Sequence, residues 1–232
     1  MDTDRPVPAT TAAAVLARLE AAATDADLAA LRRRLGPDEP AFGLRMGTLF
    51  AIARTAAGLS LPEVERLLAH PTFEGRMAGF CVLDEQARRA LRADRRGDRA
   101  LREVYLAHHD AITTWDMVDR AAPRVVGATL LGGPHDLLDD LARSPDPLRR
   151  RTAVTAPLWF TRAGTADDLA AGFALAARLH ADPEPRVHLP VGIFLAHAGK
   201  VAPDELTRFL ERYGAAMPRA ALRQATRLRR TA

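Results

Sequence analysis

The sequence predicts an all-α chain, built as an α-solenoid of paired helices. Three observations carry that prediction. Nearly half of the 232 residues are hydrophobic (48%), but Ala and Leu dominate and aromatics make up only 5%. The Val- and Ile-rich runs with alternating polarity that mark strands are hard to find. Pro, Gly and Asp punctuate the chain into amphipathic segments of helical length.

Taken in order, these segments begin with TTAAAVLARLEAAA (10–23), DADLAALRRRL (25–35), GTLFAIARTAAG (47–58) and LPEVERLLAH (61–70). EGRMAGFCVLDEQARRALRA (74–93) and RALREVYLAHHDA (99–111) follow. TTWDMVDRA (113–121) stops ahead of a proline that opens PRVVGATLLG (123–132), and PHDLLDDLARS (134–144) comes next. DPLRRRTAVTAPLWFTRAG (146–164) and ADDLAAGFALAARLHA (166–181) precede EPRVHLPVGIFLAHAGK (184–200). APDELTRFLERYG (202–214) and PRAALRQATRLRR (218–230) complete the set. SPDP (144–147) and APDE (202–205) place proline in a first turn, where its missing N–H is harmless. Many short helices joined by short loops suit stacked HEAT-like pairs better than a bundle. No linker interrupts them, so residues 1–232 are read as one domain with a concave face.

The length allows a substantial core. No apolar run approaches the roughly 18–20 residues needed to span a bilayer, and MDTDRPVPATT (1–11) lacks a signal-peptide pattern. A cytoplasmic protein is expected. Cys81, the only cysteine, lies in the apolar run MAGFCVL and reads as a buried, inert thiol. His108 and His109 are adjacent, so they diverge around a helix and make a poor metal pair. No Gly-rich phosphate loop, Ser-His-Asp pattern or paired-Cys pattern is present.

Charge is distributed unevenly. Residues 1–110 carry 16 basic and 16 acidic side chains, whereas residues 111–232 carry 17 and 13, so the second half holds the whole excess of +4. Lys200 is the only lysine, and the tail PRAALRQATRLRRTA (218–232) has five arginines and no acid. Such a surface suits a polyanion or a solvated tail. In SPDPLRRRTAV (144–154), Arg149, Arg150 and Arg151 crowd the start of a helix, where the dipole disfavours cations. Pairing with Asp139, Asp140 or Asp146 accounts for one or two of them. A phosphate accounts for all three.

The stretch ITTWDMVDRAAP (112–123) poses a second question. Thr113 or Thr114 can cap the helix, and Asp116 suits its positive end. Asp119 has neither reason to be there, yet it stands one turn from Trp115 on the same face. By itself Trp115 reads as a packing residue. Beside a carboxylate it suits a cationic or oxocarbenium-like centre. Trp159, in TAPLWFTRAG, reads as core, and His197 as a surface histidine one turn beyond Ile193.

Four blocks carry a resemblance: TTWDMVDRAAPRVVG, LARSPDPLRRRTAV, ADPEPRVHLPVGIFLAHAGK and LTRFLERYGAAMPRAALRQA. They resemble consecutive blocks of the AlkD-type DNA glycosylases, HEAT-like repeat proteins of the alkylation-repair superfamily. The likeness is clear over 111–228 and looser over AFGLRMGTLFAIAR near 41–57.

The resemblance implies an enzyme that excises cationic N3- or N7-alkylated purines from duplex DNA cradled on a basic concave face. It implies no metal, no organic cofactor, no membrane and no obligate protein partner, and a monomer is expected. By the family pattern Asp119 stabilises the sugar cation and presents water, Trp115 contacts the deoxyribose, and Arg151 grips phosphate. Arg149 and Arg150 take smaller phosphate roles. The family pattern near G-W-x-L-R-E-x-G-K reads GIFLAHAGK here, so Ile193 replaces its tryptophan and Ala196 its arginine. Ile193 and Phe194 are then the expected cleft wall, widened for a bulky adduct, as self-resistance to a DNA-alkylating metabolite would require. The alternatives are a non-catalytic protein that binds damaged or distorted DNA, and a protein–protein scaffold.

Overall fold

The computed structural model describes residues 7–93 and 97–228, and all regular structure among them is helical. Residues 1–6, 94–96 and 229–232 lie outside the described residues, so the end of the basic tail, Arg229 and Arg230 included, is not placed. None of the described helices is long and apolar enough to cross a membrane. Contacts gather the chain into two compact units, Met1–Ala121 and Ala122–Ala232.

The first unit contains α1 (Ala12–Ala21), α2 (Asp25–Arg32), α3 (Met46–Thr55), α4 (Leu61–Leu68), α5 (Phe73–Arg92), α6 (Arg99–Ala107) and most of α7 (Trp115–Val125). Threonine starts several of these helices for a local reason. Thr11, Thr24 and Thr72 each accept a hydrogen bond from the backbone N–H of the third residue on, at 3.2, 3.1 and 3.2 Å. Each such cap contributes about 1 kcal/mol. The centre of the unit is α5, whose residues Phe73–Asp84 are all buried. Inside it, the Glu74 carboxylate accepts from the N–H groups of Phe42 (2.9 Å) and Gly43 (2.7 Å), which anchors the 41–45 turn. Gly43 has φ +98°, and a Cβ there would sit 2.5 Å from Leu28 Cβ, so only glycine fits.

The second unit contains α8 (Asp136–Ala142), α9 (Pro147–Thr155), α10 (Phe160–Ala163), α11 (Ala166–Leu179), α12 (Pro185–Val201), α13 (Pro203–Tyr213) and α14 (Arg219–Thr226). Its axis is α12, against which α9, α11, α13 and α14 pack. Gly192 lets α14 approach closely: a Cβ there would lie 2.5 Å from the Ala221 carbonyl oxygen. Sequence-adjacent helices pair in both units, α4 with α5, α8 with α9 and α11 with α12. This is the pairing expected of helical repeats.

Two boundaries differ from the expectation. One helix runs through Pro123 instead of stopping before it. A proline inside a helix removes the bond to the carbonyl four residues earlier and crowds that carbonyl, at a cost of about 3 kcal/mol. Burial of Ala121, Ala122, Val125 and Val126 offsets that cost. Conversely, the 146–164 segment is broken. It becomes α9, a 3-10 turn at Ala156–Leu158 containing Pro157, and the short α10.

Candidate functional site

Helix α7 shows how Trp115 and Asp119 are presented. Met117, Val118, Ala121, Ala122 and Val125 form its buried stripe. Trp115 lies off that stripe and is 49% exposed, so the packing role first suggested for it does not hold. The apolar face was already complete without it. Asp119 is half-buried one turn further on, along the same side.

Charged contacts hold this helix at its middle and at its N-terminal end. The Arg120 guanidinium meets the fully buried Asp84 (3.1 Å) and Glu85 (2.8 Å), and lies 4.7 Å over the Phe50 ring. Ahead of the helix, the buried Arg76 donates to the carbonyls of Ala111 (3.1 Å), His70 (3.1 Å) and Pro71, and pairs with Glu39. Glu39 also accepts from the Thr113 hydroxyl at 2.5 Å. Asp116 pairs with Arg34 at 2.8 Å and accepts from the Thr114 hydroxyl. The 111–116 segment is therefore fixed before Trp115 begins the helix. None of this clamp was read from the sequence. Its only visible sign was an acidic pair, Asp84–Glu85, closing the apolar run FCVL.

The second unit separates the three arginines that the sequence groups together. Arg150 is committed within the fold. Its Nε and Nη2 donate to the two Asp182 oxygens at 2.7 and 3.0 Å, and its Nη1 donates to the carbonyls of Ser144 and Pro145, both at 2.9 Å. The hydrogen bond to Asp182 raises its pKa further. Of the local aspartates proposed as partners, Asp139 pairs with Arg178 (3.5 Å) and Asp140 with Arg143 (3.2 Å), whereas Asp146 does pair with one of the three, Arg149. Asp146 caps α9 by accepting from Leu148 N–H at 2.9 Å. Arg149 pairs with it at 3.9 Å and stays about one-third exposed.

Arg151 is 2% exposed, and its Nη1 donates to the carbonyl of Arg186. That carbonyl needs a partner because residue 190 is proline, and the N–H that would have closed the helical bond to residue 186 is missing. The anomalous proline in α12 thus creates the acceptor that holds a buried guanidinium. Arg150 and Arg151 together fasten the start of α9 to the approach and first turn of α12.

The expected cleft wall divides. Ile193 is half-buried, whereas Phe194 is wholly buried, edge-on to Phe173 (ring centroids 5.7 Å apart), above Gly172. Phe194 is a core residue and lines no surface. Ala196 is buried as well, while His197 is exposed as expected. Trp159 is half-buried rather than core, with Arg162 5.5 Å over its ring. Cys81 is buried, and desolvation pushes its thiol up to about 12, which keeps it inert at neutral pH. His109 is wholly buried against Tyr105, and His108 lies 3.8 Å from Glu65, so the adjacent histidines do diverge.

No curated protein matches the chain. The family model described as DNA alkylation repair enzyme matches residues 15–228, nearly all the described chain and well ahead of the blocks legible by eye. This supports a role in the repair of alkylated DNA, as an enzyme. With an exposed tryptophan beside a carboxylate and a basic second half to its sequence, the chain belongs to the DNA alkylation repair enzyme family.

Proposed function

We propose that this protein is a DNA glycosylase that hydrolyses the N-glycosidic bond of cationic N3- or N7-alkylated purines in duplex DNA. The observation that carries the reading is the half-exposed Trp115 one helical turn from Asp119, on a helix held at its first turn and its middle. A surface tryptophan contributes little to a core, but its ring face attracts a developing cation.

The chemistry follows from the substrate. Alkylation gives the purine a positive charge, so the base departs with the glycosidic electron pair as a neutral molecule and needs no general acid. The positive charge moves to the C1′–O4′ unit of the sugar. The Asp119 carboxylate stabilises it there and orients the water that adds to C1′. As the bond forms, that water gives its proton to bulk solvent, leaving a neutral abasic sugar. The reaction requires neither metal nor organic cofactor because the leaving group is already activated. Duplex DNA bearing the lesion is the only partner required, and the basic excess of residues 111–232 supports its capture.

Arg149 is the most exposed member of the arginine cluster, and the buried charge of Arg151 strengthens the local potential. With Ile193 replacing the second family tryptophan, the protein is suited to bulky adducts, and hence to self-resistance. The same substitution is what favours a non-catalytic reading, in which the protein only binds damaged duplex. Base release from DNA treated with simple and with bulky alkylating agents decides between them. Free purine from either class supports the glycosylase. Duplex binding with no release from either overturns it.

A further inference from the structure

Four basic side chains gather near the C-terminal end of α12, which runs on into the acidic first turn of α13 at Asp204 and Glu205. His197 and Lys200 are three residues apart on one face of α12, and both are exposed. Arg227 follows α14, whose close packing on α12 is allowed by Gly192. Arg227 and Lys200 line one surface cleft of about 770 Å³ together with Thr207. Arg162 extends from α10, which also contacts α12. The charges acting on His197 from these elements are Lys200, Arg227 and Arg162, with no carboxylate among them.

This cluster differs from the buried arginines that hold the fold together. Arg76, Arg120 and Arg150 each meet a carboxylate. Among the described residues, Lys200, Arg227 and Arg162 take part in no ion pair, and the contact of Arg162 is the Trp159 ring. Lys200 is also the only lysine in a chain that otherwise uses arginine throughout. Several exposed cations gathered without a counter-charge repel one another, and an anion relieves that repulsion.

We infer that His197, Lys200, Arg162 and Arg227 form a binding site for the phosphodiester backbone of duplex DNA, separate from the arginines at the start of α9. The inference rests on the proposed action on duplex DNA. It adds a positioning contact that sets where the duplex lies and takes no part in bond cleavage. Burial, followed by the three neighbouring cations, lowers the His197 pKa, so the ring is neutral in the free protein at pH 7. A phosphate at the site reverses the balance and favours the protonated ring.

The test compares wild type with the Lys200→Gln/Arg227→Gln double variant. Both positions are exposed, so folding is preserved. Binding to undamaged duplex is measured across salt concentrations, and the His197 ring is titrated by NMR with and without duplex. Two lost phosphate contacts lower the salt slope by about 1.8 and weaken binding by about tenfold or more. In wild type, duplex raises the proton affinity of His197 about tenfold.

An unchanged salt slope in the double variant, with wild type still binding duplex, overturns the site and leaves the glycosylase reading intact. Inorganic phosphate shifting His197 as strongly as duplex, at equal ionic strength, assigns the cluster to a free anion and also overturns it. Wild type that binds no duplex at all removes the proposed function, and the backbone site with it.

Discussion

Replacing Arg150 by methionine separates a structural arginine from a phosphate ligand. Its guanidinium side chain is 14% exposed and that of Asp182 is 4% exposed, so the pair is largely out of water. Methionine preserves the apolar stem but leaves the Asp182 carboxylate unpaired and orphans the carbonyls of Ser144 and Pro145. Breaking one side of a buried ion pair costs about 3–5 kcal/mol. For a chain of this size each kcal/mol lowers Tm by about 2–4 °C, so the loss is about 6–20 °C. Asp182→Asn removes the charge but retains an acceptor for Glu184 N–H, which is bonded at 2.9 Å, and costs less. Thermal unfolding followed by circular dichroism measures both. In parallel, the salt slope of duplex binding at a temperature where the variant is folded stays that of wild type. A Tm within about 2 °C of wild type, together with a slope reduced by about 0.9, would refute the structural assignment and make Arg150 a phosphate contact.

Trp115→Ala leaves Tm nearly unchanged because the ring is half-exposed, yet lowers single-turnover base release by about tenfold or more, through lost cation–π contact. An equal loss of stability and activity would make Trp115 a packing residue after all. Asp168 offers a pH test: burial raises its pKa, but hydrogen bonds from Thr165, Gly132 and His135 outweigh this and leave it lowered. Its folded pKa is below the unfolded value, so its contribution is complete above about pH 4 and is lost as pH falls further. Asp168→Asn therefore has a flatter stability profile between about pH 2 and 5, and an unchanged profile contradicts this. Ile193→Trp, read out as single-turnover rates on two substrates, raises release of methylated purines and lowers release of bulky adducts. A gain on neither substrate goes against a cleft widened for bulk.

Helix content and most helix starts were legible because they depend on local chemistry: threonine caps, proline in first turns and apolar periodicity. The Trp115–Asp119 pair was legible for the same reason, since helical spacing alone puts both on one face. Exposure of Trp115 was not, because it depends on whether the stripe from Met117 to Val125 is already complete. Proline was an uneven sign: the helix expected to stop before Pro123 runs through it, whereas the segment expected to be helical across Pro190 is so. Pro123 and Pro190 both lie inside helices, and the carbonyl that Pro190 frees is met by Arg151, thirty-five residues earlier in sequence. Partner choice was misjudged likewise for Arg150, whose nearby aspartates are bound elsewhere while Asp182 reaches it across a helix junction. Phe194 and Ile193 are neighbours in sequence but differ by about a hundred degrees around the helix, so one faces the core and the other its margin.

The most direct test of the glycosylase reading is base release from an alkylated duplex under single-turnover conditions, for wild type and Asp119→Asn, with duplex affinity measured alongside. Asparagine keeps the size of the side chain and removes its charge. The account predicts loss of release by about 10²–10³-fold, with duplex affinity equal to or slightly above wild type, since the carboxylate repels phosphate in the ground state and stabilises the sugar cation only as it forms. Wild-type release rates in Asp119→Asn, with affinity unchanged, would contradict it.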